Sequence, residues 1–221
     1  WRVGEIWFGG YSQKAKVKGE WLVPLPDVMS LKNSMVIGTA GLSAMLGIIE
    51  LEDNGMKPET GPVLVTGATG GVGSIAVAIL ASLDYEVTCV TGNVNKNKAF
   101  LRRLGATNVI EREPLLQPSN KTLESAVWGG CIDTVGGVML ARILAQMKRE
   151  TAVAAIGNAA DSTLPASVIP FLLRGIRLIG IDSANKENSK RIRAWHRLSS
   201  DLPTDLLKLI GKEITLSEVI Q

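Results

Sequence analysis

The sequence has few residues that bind metals, with one histidine and two cysteines among 221 residues. Cys89 and Cys131 lie inside separate apolar runs and do not have the spacing of a metal site. They predict buried thiols in a reducing compartment. A catalytic zinc ion needs three protein ligands, and because the chain falls short of that number we predict no metal.

The sequence also has little excess charge of either sign, because its 24 Lys and Arg residues nearly balance its 21 Asp and Glu residues, for a net charge of +3. The mild positive charge suits anionic cofactors and substrates. No basic cluster is interleaved with aromatic residues, so we predict no nucleic-acid partner. We also predict no membrane partner, because the apolar runs fall short of the roughly 18 residues that span a bilayer.

A glycine-rich turn lies between two apolar segments at residues 62–74, PVLVTGATGGVGS. Residues 62–66 are apolar and β-branched, and residues 75–83 are apolar at helical spacing, which predicts strand, turn and helix. This is the context of a dinucleotide-binding turn, in which glycine lets a pyrophosphate approach the amides of a helix N-terminus. Gly73 is expected to let helix and strand pack closely. A glycine turn without a ligand is the alternative.

The segments around this turn alternate between strand and helix. The predicted strands are residues 62–66, 86–91, 108–110, 131–135, 152–156 and 177–181. The predicted helices between them are residues 72–83, 95–104, 121–127, 139–147 and 165–173. The pattern is typical of an α/β protein with a Rossmann fold, a doubly wound parallel sheet of six strands. Ligands bind such sheets at the carboxyl ends of the strands.

The flanking segments differ in character from this alternation. Residues 1–26 have β character, with short strands predicted at 14–17 and 21–23. A helix is predicted at 31–51, two more at 189–198 and 203–210, and a short strand at 213–216. The chain begins at Trp1 without a methionine and ends inside a segment of helical character, so we expect a fragment.

The loop after the second strand bears on the choice of cofactor. Thr91, Gly92 and Asn93 end that strand, and no acidic residue follows before Glu111. An acidic residue here would bind the ribose hydroxyls of NAD and repel a 2′-phosphate. Lysines 96 and 98 follow instead, which favours NADPH. The alternative is that these lysines form an ordinary solvated helix start.

Several short motifs resemble the zinc-independent, quinone-oxidoreductase-like branch of the medium-chain dehydrogenases/reductases. These motifs are GGVG at 70–73, IDTVG at 132–136 and LAQM at 144–147. Within that branch, the chain is similar to the acrylyl-CoA reductase group. The motifs for this are KGEW at 18–21, GTAG at 38–41, LP at 164–165, PF at 170–171, LRG at 173–175, GIDS at 180–183, AW at 194–195 and DLP at 201–203.

The resemblance implies a GroES-like β-rich catalytic domain around a Rossmann domain. Residues 1–37 would be part of the catalytic domain, residues 38–185 the NADPH-binding domain, and residues 186–221 the start of the return to the catalytic domain. The implied reaction is NADPH-dependent reduction of the 2,3-double bond of acrylyl-CoA to propionyl-CoA. The implied setting is a cytoplasmic homodimer that binds an acyl-CoA.

The resemblance also implies the cofactor-binding residues. The pyrophosphate would be held by Thr69, Gly70, Gly71, Val72 and Gly73. The 2′-phosphate loop would be formed by Thr91, Gly92 and Asn93. Arg112 matches a cofactor-contacting arginine, and Asn158 and Ser183 would line the nicotinamide side.

The chain departs from the family pattern in two ways. The family usually has Ser-Gly-Arg where this chain has Thr91-Gly92-Asn93, so the arginine is missing and Lys96 is the candidate replacement. The family's first strands, with a tyrosine near the nicotinamide, would precede Trp1. We therefore expect residues 1–221 alone to bind NADPH weakly and not to turn over substrate at a normal rate.

No donor for the negative charge that develops on the substrate can be assigned from the sequence. Thr39 and Ser43, near a helix start, are pocket candidates by resemblance, with capping or helix packing as the alternative role. Tyr11 is expected to serve packing, and His196 is expected to lie at the surface.

Other functions fit less well. Short-chain dehydrogenases share the glycine pattern but need a lysine four residues after a tyrosine, and Ala15 and Cys89 stand at those positions. No Gly-Lys-Ser/Thr follows the turn, which argues against a P-loop ATPase. An NADPH quinone or enone oxidoreductase and a non-catalytic nucleotide-binding module remain as alternatives.

Overall fold

The computed structural model describes residues 3–117, 119 and 121–219, and these residues form a six-stranded parallel sheet. The strands are β1 (Val63–Val65), β2 (Val87–Thr91), β3 (Asn108–Glu111), β4 (Gly130–Asp133), β5 (Ala152–Ala155) and β6 (Arg177–Gly180). Their spatial order is β3-β2-β1-β4-β5-β6, with every neighbouring pair parallel. The chain therefore winds outward from β1 in both directions, which confirms the predicted doubly wound Rossmann fold.

Eight α-helices lie in the described residues. They are α1 (Leu31–Asp53), α2 (Gly71–Ser82), α3 (Val94–Arg103), α4 (Glu113–Leu116), α5 (Gly137–Gln146), α6 (Ile169–Arg174), α7 (Asn188–Asp201) and α8 (Leu207–Ile210). Two of them begin at side-chain caps: Ser30 accepts a hydrogen bond from the Asn33 amide at 3.1 Å, and Asn93 accepts one from the Lys96 amide at 2.9 Å. Each cap satisfies a helix N–H that has no partner within the helix.

Helices cover both faces of the sheet. On one face α1, α2 and α7 share a core that includes Ile48, Ile79 and Leu198. On the other face α5 packs through Ile143 and Leu144 around a second core. Strands that are buried on both faces must be apolar throughout rather than alternating, which explains why short apolar runs predicted them.

Helix α1 is long and bends at Gly38, where φ is +50° and ψ is −154°. Within the described residues it is the one helix long and apolar enough to cross a membrane by length and composition, so the expectation of no such run is wrong. Beyond the bend, Ala44, Met45 and Ile48 are fully buried inside the protein. A central core helix meets the same criterion, and the apolarity of α1 follows from its position between the sheet, α2 and α7.

The predicted helix at residues 121–127 is wrong, because that segment is not helical. Its backbone instead pairs with the end of α5: the Glu124 amide donates to the Ala145 carbonyl at 2.9 Å, and the Val127 amide donates to the Gln146 carbonyl at 2.8 Å. The carbonyls at the end of a helix have no partner within it, so they can accept from an extended neighbour. The helical turn in this region is α4, which is earlier in the chain.

The predicted strands at 14–17, 21–23 and 213–216 are also wrong within the described residues. Residues Gly19–Trp21 and Leu216–Glu218 form short 3₁₀ helices instead. In the second of these, the Glu218 carboxylate accepts from the Thr215 amide at 2.6 Å and closes the turn. A strand needs a neighbouring strand for its hydrogen bonds, and none lies beside these segments in the part of the chain that the structure describes.

Both cysteines are buried free thiols, as predicted. Cys89 lies in β2, and burial raises its pKa to about 12. Burial also raises the pKa of Cys131, in β4, well above its usual value. Neither thiol is therefore a nucleophile at neutral pH.

Candidate functional site

The glycine turn joins the end of β1 to the start of α2 at the carboxyl edge of the sheet. Within it the Gly70 amide donates to the Gly67 carbonyl at 2.9 Å, which closes the turn, and Gly70 then caps α2 without any side-chain hydrogen bond. Thr69, Gly70 and Gly71 are exposed, and Val72 is half-buried. The first amides of α2 therefore face open space at the positive end of the helix, which is an anion-binding geometry.

Two glycines of this turn are required by close contacts. Gly67 has φ +55°, a left-handed conformation that favours glycine, and a Cβ there would lie 2.2 Å from Thr134 Oγ1. A Cβ on Gly73 would lie 2.3 Å from the Gly67 carbonyl oxygen and 2.7 Å from Ala68 Cα. Gly73 is therefore the point where α2 approaches the turn, as predicted for helix and strand packing.

A buried polar network fixes the edge next to the turn. The Thr66 hydroxyl donates to Asp133 Oδ1 at 2.7 Å and accepts from the Thr134 amide at 2.9 Å. Asp133 Oδ2 accepts from the Gly136 amide at 2.9 Å. Burial raises the pKa of Asp133, and the hydrogen bonds from Thr66 and Gly136 oppose that shift in part. The network holds the ends of β1 and β4 in one arrangement below the turn.

The loop after β2 is held by its own polar side chains. Thr91 is buried, and its Oγ1 accepts from Asn97 Nδ2 at 2.8 Å. Gly92 and Asn93 are exposed, and Asn93 uses its side chain to cap α3. A Cβ on Gly92 would lie 3.1 Å from Arg112 Cζ, so the exposed Arg112 guanidinium lies against this loop. The structure thus brings Arg112 to the predicted 2′-phosphate loop.

An acidic side chain reaches the same loop from β3. Glu111 is paired in register with Thr91, and its Oε1 accepts from the Val94 amide at 2.9 Å. The loop is free of acidic residues only along the chain, where the next one after Thr91 is Glu111. The parallel pairing of β2 with β3 brings the Glu111 carboxylate to this loop, and the spacing of residues along the chain does not indicate that.

The loops after β4, β5 and β6 complete the carboxyl edge. Asn158 is exposed and lies next to the β4 loop, since a Cβ on Gly136 would be 3.4 Å from Asn158 Cα. Ser183 follows β6, and its Oγ lies 2.8 Å from Ser43 Oγ. The buried Ser43 hydroxyl also lies 2.8 Å from the Thr39 carbonyl oxygen. Two predicted pocket residues, Ser43 and Ser183, therefore meet, although Ser43 also bonds within its own helix.

Arg191 of α7 was missed by the sequence analysis. Its Nη1 donates to the Ser183 carbonyl at 3.2 Å, and its buried Nε has no hydrogen-bond partner among the described residues. Burial lowers the pKa of Arg191. Only the packing of α7 against α1 places this cation beside Ser183, and no motif in the sequence indicates it.

The remaining candidates lie at the surface. His196 is exposed on α7, which confirms the expectation. Tyr11 is 78% exposed, so the packing role expected for it is wrong in the described chain. Lys96 and Lys98 are exposed at the start of α3, where the Lys96 amide is bound by the Asn93 cap.

The chain is similar to known dehydrogenases and reductases. The sequence profile of the family "Zinc-binding dehydrogenase" matches residues 71–200. The acrylyl-CoA reductase AcuI of Ruegeria pomeroyi is 52% identical over 99% of this chain, which spans 66% of that relative. The putative quinone oxidoreductase YhfP of Bacillus subtilis is 46% identical over 95% of this chain, which spans 64% of that relative.

Solved structures agree with this similarity. The structure of E. coli YhdH with bound NADPH superposes with a TM-score of 0.95 at 46% identity, and it covers 99% of this chain and 67% of its own. The structure of B. subtilis yhfP with NAD bound has a TM-score of 0.96 at 45% identity, over 100% of this chain and 67% of its own.

The fold is a Rossmann-type parallel sheet, and its carboxyl edge has a glycine turn at the uncapped start of α2. The chain belongs to the zinc-binding dehydrogenase family, since its profile covers more than half of the residues. The predicted resemblance to acrylyl-CoA reductases and to the quinone-oxidoreductase-like branch is confirmed. The chain covers slightly less than two thirds of these relatives' own length.

The family description names zinc, but the described residues do not fit that metal. Among residues 3–117, 119 and 121–219, no group of three His, Cys, Asp or Glu side chains could hold a metal ion. Cys89 and Cys131 are buried with raised pKa values, and His196 is on an exposed helix face.

Proposed function

We propose that this chain is the cofactor-binding part of an NADPH-dependent reductase that converts acrylyl-CoA to propionyl-CoA by hydride transfer to the β-carbon. The observation that carries the proposal is the exposed start of α2 beneath Thr69 and Gly70, which has no side-chain cap. The similarity to the R. pomeroyi reductase supports the substrate, and the NADPH-bound E. coli structure supports the cofactor.

In this proposal the cofactor lies along the carboxyl edge of the sheet. The pyrophosphate binds the turn, whose residues are Thr69, Gly70, Gly71, Val72 and Gly73. The adenosine 2′-phosphate binds the loop of Thr91, Gly92 and Asn93. Arg112 lies beside this loop, and a guanidinium donates strong hydrogen bonds to phosphate oxygens. The nicotinamide lies toward Asn158 and Ser183. The 2.8 Å contact between Ser43 and Ser183 supports a polar pocket at that end.

The residues of this chain have two tasks in such a reaction. NADPH supplies the hydride when it is bound. The chain orients the reactants and stabilises the negative charge that moves to the thioester oxygen of the substrate. Arg191 and the Ser183 hydroxyl are the donors that the structure gathers at this end of the site, and the Ser43 hydroxyl lies within hydrogen-bond distance of Ser183. We propose this cluster as the source of that stabilisation.

A quinone oxidoreductase is the second candidate. Its support is the similarity to the putative quinone oxidoreductase YhfP, at 46% identity. Hydride transfer to a quinone uses the same cofactor site, so the Rossmann residues alone do not separate the two reactions.

The proposed function is tested by cofactor binding and by turnover. NADPH fluorescence titration of the chain should show binding that weakens about 10-fold in Arg112→Ala, the size of one lost charged phosphate contact. Arg103→Ala, which removes an exposed arginine at the far end of α3, should leave binding unchanged. The full-length protein should reduce acrylyl-CoA faster than a benzoquinone. A faster quinone reaction would favour the second candidate, and no binding of NADPH would reject both.

We further infer that residues 1–37 and 186–221 belong to a GroES-like catalytic domain, and residues 38–185 to the cofactor domain. The bend of α1 at Gly38 supports the first boundary. The second boundary, at residues 185 and 186, is opposed in part by ion pairs that join α7 to α1, such as Arg193 with Asp53 at 2.7 Å and Arg197 with Glu52 at 2.6 Å.

We also propose a cytoplasmic protein without nucleic-acid or membrane partners, supported by its free thiols and mild charge.

The outer edge of the sheet supports the proposed homodimer. Strand β6 is the last strand of the sheet, and an open edge strand invites pairing with another chain. At the start and on the surface of α6, the helix that precedes β6 along the chain, Val168, Leu172 and Leu173 are 65%, 72% and 52% exposed. We expect Leu172→Lys to weaken the dimer about 10-fold or more, as measured by sedimentation velocity. Leu31→Lys on α1 is the control, and a wild-type monomer would contradict the proposal.

A further inference from the structure

The start of α3 already holds an anionic group. Glu111, the last residue of β3, lies in register with Thr91, the last residue of β2. Its carboxylate accepts from the Val94 amide in the first turn of α3 at 2.9 Å, and the side chain is only half-buried. The carboxylate thus uses a free amide and the positive end of the helix dipole, the two features that attract an anion there.

The other charges near this loop do not neutralise Glu111. Arg112 lies against Gly92, and its Nε is 3.3 Å from the Glu113 carboxylate, so part of its charge is engaged by another acid. Among the described residues, no ion pair within 4.0 Å joins Glu111 to a basic side chain. The loop proposed for the 2′-phosphate therefore has three basic residues near it, Arg112, Lys96 and Lys98, and two carboxylates, those of Glu111 and Glu113.

We infer that Glu111 is a specificity-determining residue that weakens the binding of a 2′-phosphorylated nucleotide relative to an unphosphorylated one. The inference rests on the proposed function, because it places the adenosine end of the cofactor at Thr91 and Gly92. A negative charge one strand away from a bound phosphate repels it through partly screened solvent. The same charge has little effect on a nucleotide with two ribose hydroxyls. Glu111 therefore brings the affinities for NADPH and NADH closer together.

The charge of Glu111 can be separated from its structural contact. In Glu111→Gln the side-chain oxygen can still accept from the Val94 amide, and only the negative charge is lost. Glu86→Gln is the matched control, since Glu86 precedes β2 at the opposite end of the strand and its carboxylate accepts from Asn108 Nδ2 at 3.3 Å. Both variants lose one charge and keep one acceptor.

The experiment is fluorescence titration of the wild type and both variants with NADPH and with NADH. Glu111→Gln should bind NADPH about 5-fold more tightly, the size expected for removal of one like charge within about a Debye length. NADH affinity should change less than about 2-fold. The gain for NADPH should shrink between about 0.02 M and about 0.5 M salt, because salt screens the repulsion. Glu86→Gln should match the wild type with both nucleotides.

The inference is overturned if NADPH affinity is unchanged or lower in Glu111→Gln while its melting temperature stays that of the wild type. It is also overturned if Glu86→Gln gives the same gain, since net charge alone would then explain it. If Glu111→Gln melts at a lower temperature, the ratio of NADPH to NADH affinity decides, because loss of fold weakens both nucleotides equally. If the wild-type chain binds neither nucleotide, the proposed function itself is rejected. If the wild type binds NADPH and the ratio of NADPH to NADH affinity is the same in Glu111→Gln, only the inference about Glu111 is rejected.

Discussion

Gly73→Ala should abolish cofactor binding and destabilise the protein. The added methyl group would lie 2.3 Å from the Gly67 carbonyl oxygen and 2.7 Å from Ala68 Cα, which are backbone atoms that no rotamer change can move. The turn and the start of α2 must therefore separate. We expect a loss of about 3 kcal/mol in the free energy of unfolding, at the upper end of overpacking costs. NADPH affinity should fall about 100-fold or more, because the amides that bind the pyrophosphate move.

The measurements are urea unfolding followed by circular dichroism, and NADPH titration of the folded variant. Gly19→Ala is the control, because a Cβ at that position meets no atom within 4 Å. It should change neither quantity. If Gly73→Ala kept wild-type stability and affinity, the close approach of α2 to the turn would not be a requirement of this site.

The parts of the fold that depend on local pattern could be predicted from the sequence. The six strands and the helices α2, α3 and α5 lie within a few residues of their predicted ends. The four inner strands, β1, β2, β4 and β5, are buried along nearly their whole length, which favours apolar runs. The glycine turn could be predicted because α2 starts so close to the end of β1 that there is no room for a Cβ at Gly73, and the sequence must therefore have glycine there. These constraints act between residues that are close in sequence.

The parts that depend on distant contacts could not be predicted. Residues 121–127 carry a weak helical pattern, but the free carbonyls at the end of α5 bind their amides and hold the segment extended. Glu111 joins the loop after β2 only through parallel pairing with a strand that is 20 residues away. Arg191 meets Ser183 only because α7 packs along α1. In each case tertiary contacts decide which groups face one another.

Asp133→Ala should destabilise the protein at least as much as Gly73→Ala does. It removes the acceptor for the Thr66 hydroxyl and for the Gly136 amide, and it leaves these donors buried without a partner. A lost partner for a buried donor costs about 1 to 3 kcal/mol, so we expect a loss of about 3 to 4 kcal/mol in the free energy of unfolding. Urea unfolding measures this loss. Thr163→Ala, an exposed residue whose amide bonds to the surface carboxylate of Asp161, is the control and should cost little.

The pH dependence of this loss tests the cause of the Asp133 pKa shift. Burial raises the folded-state pKa above the unfolded value of 3.8, so the folded state binds the proton more tightly. The stabilisation from this linkage is fully present below the unfolded pKa and is lost as pH rises through the folded pKa. The unfolding free energy of the wild type minus that of Asp133→Asn should therefore increase as pH falls from neutral toward 3.8. A decrease of this quantity would mean that the hydrogen bonds from Thr66 and Gly136 outweigh burial and lower the pKa.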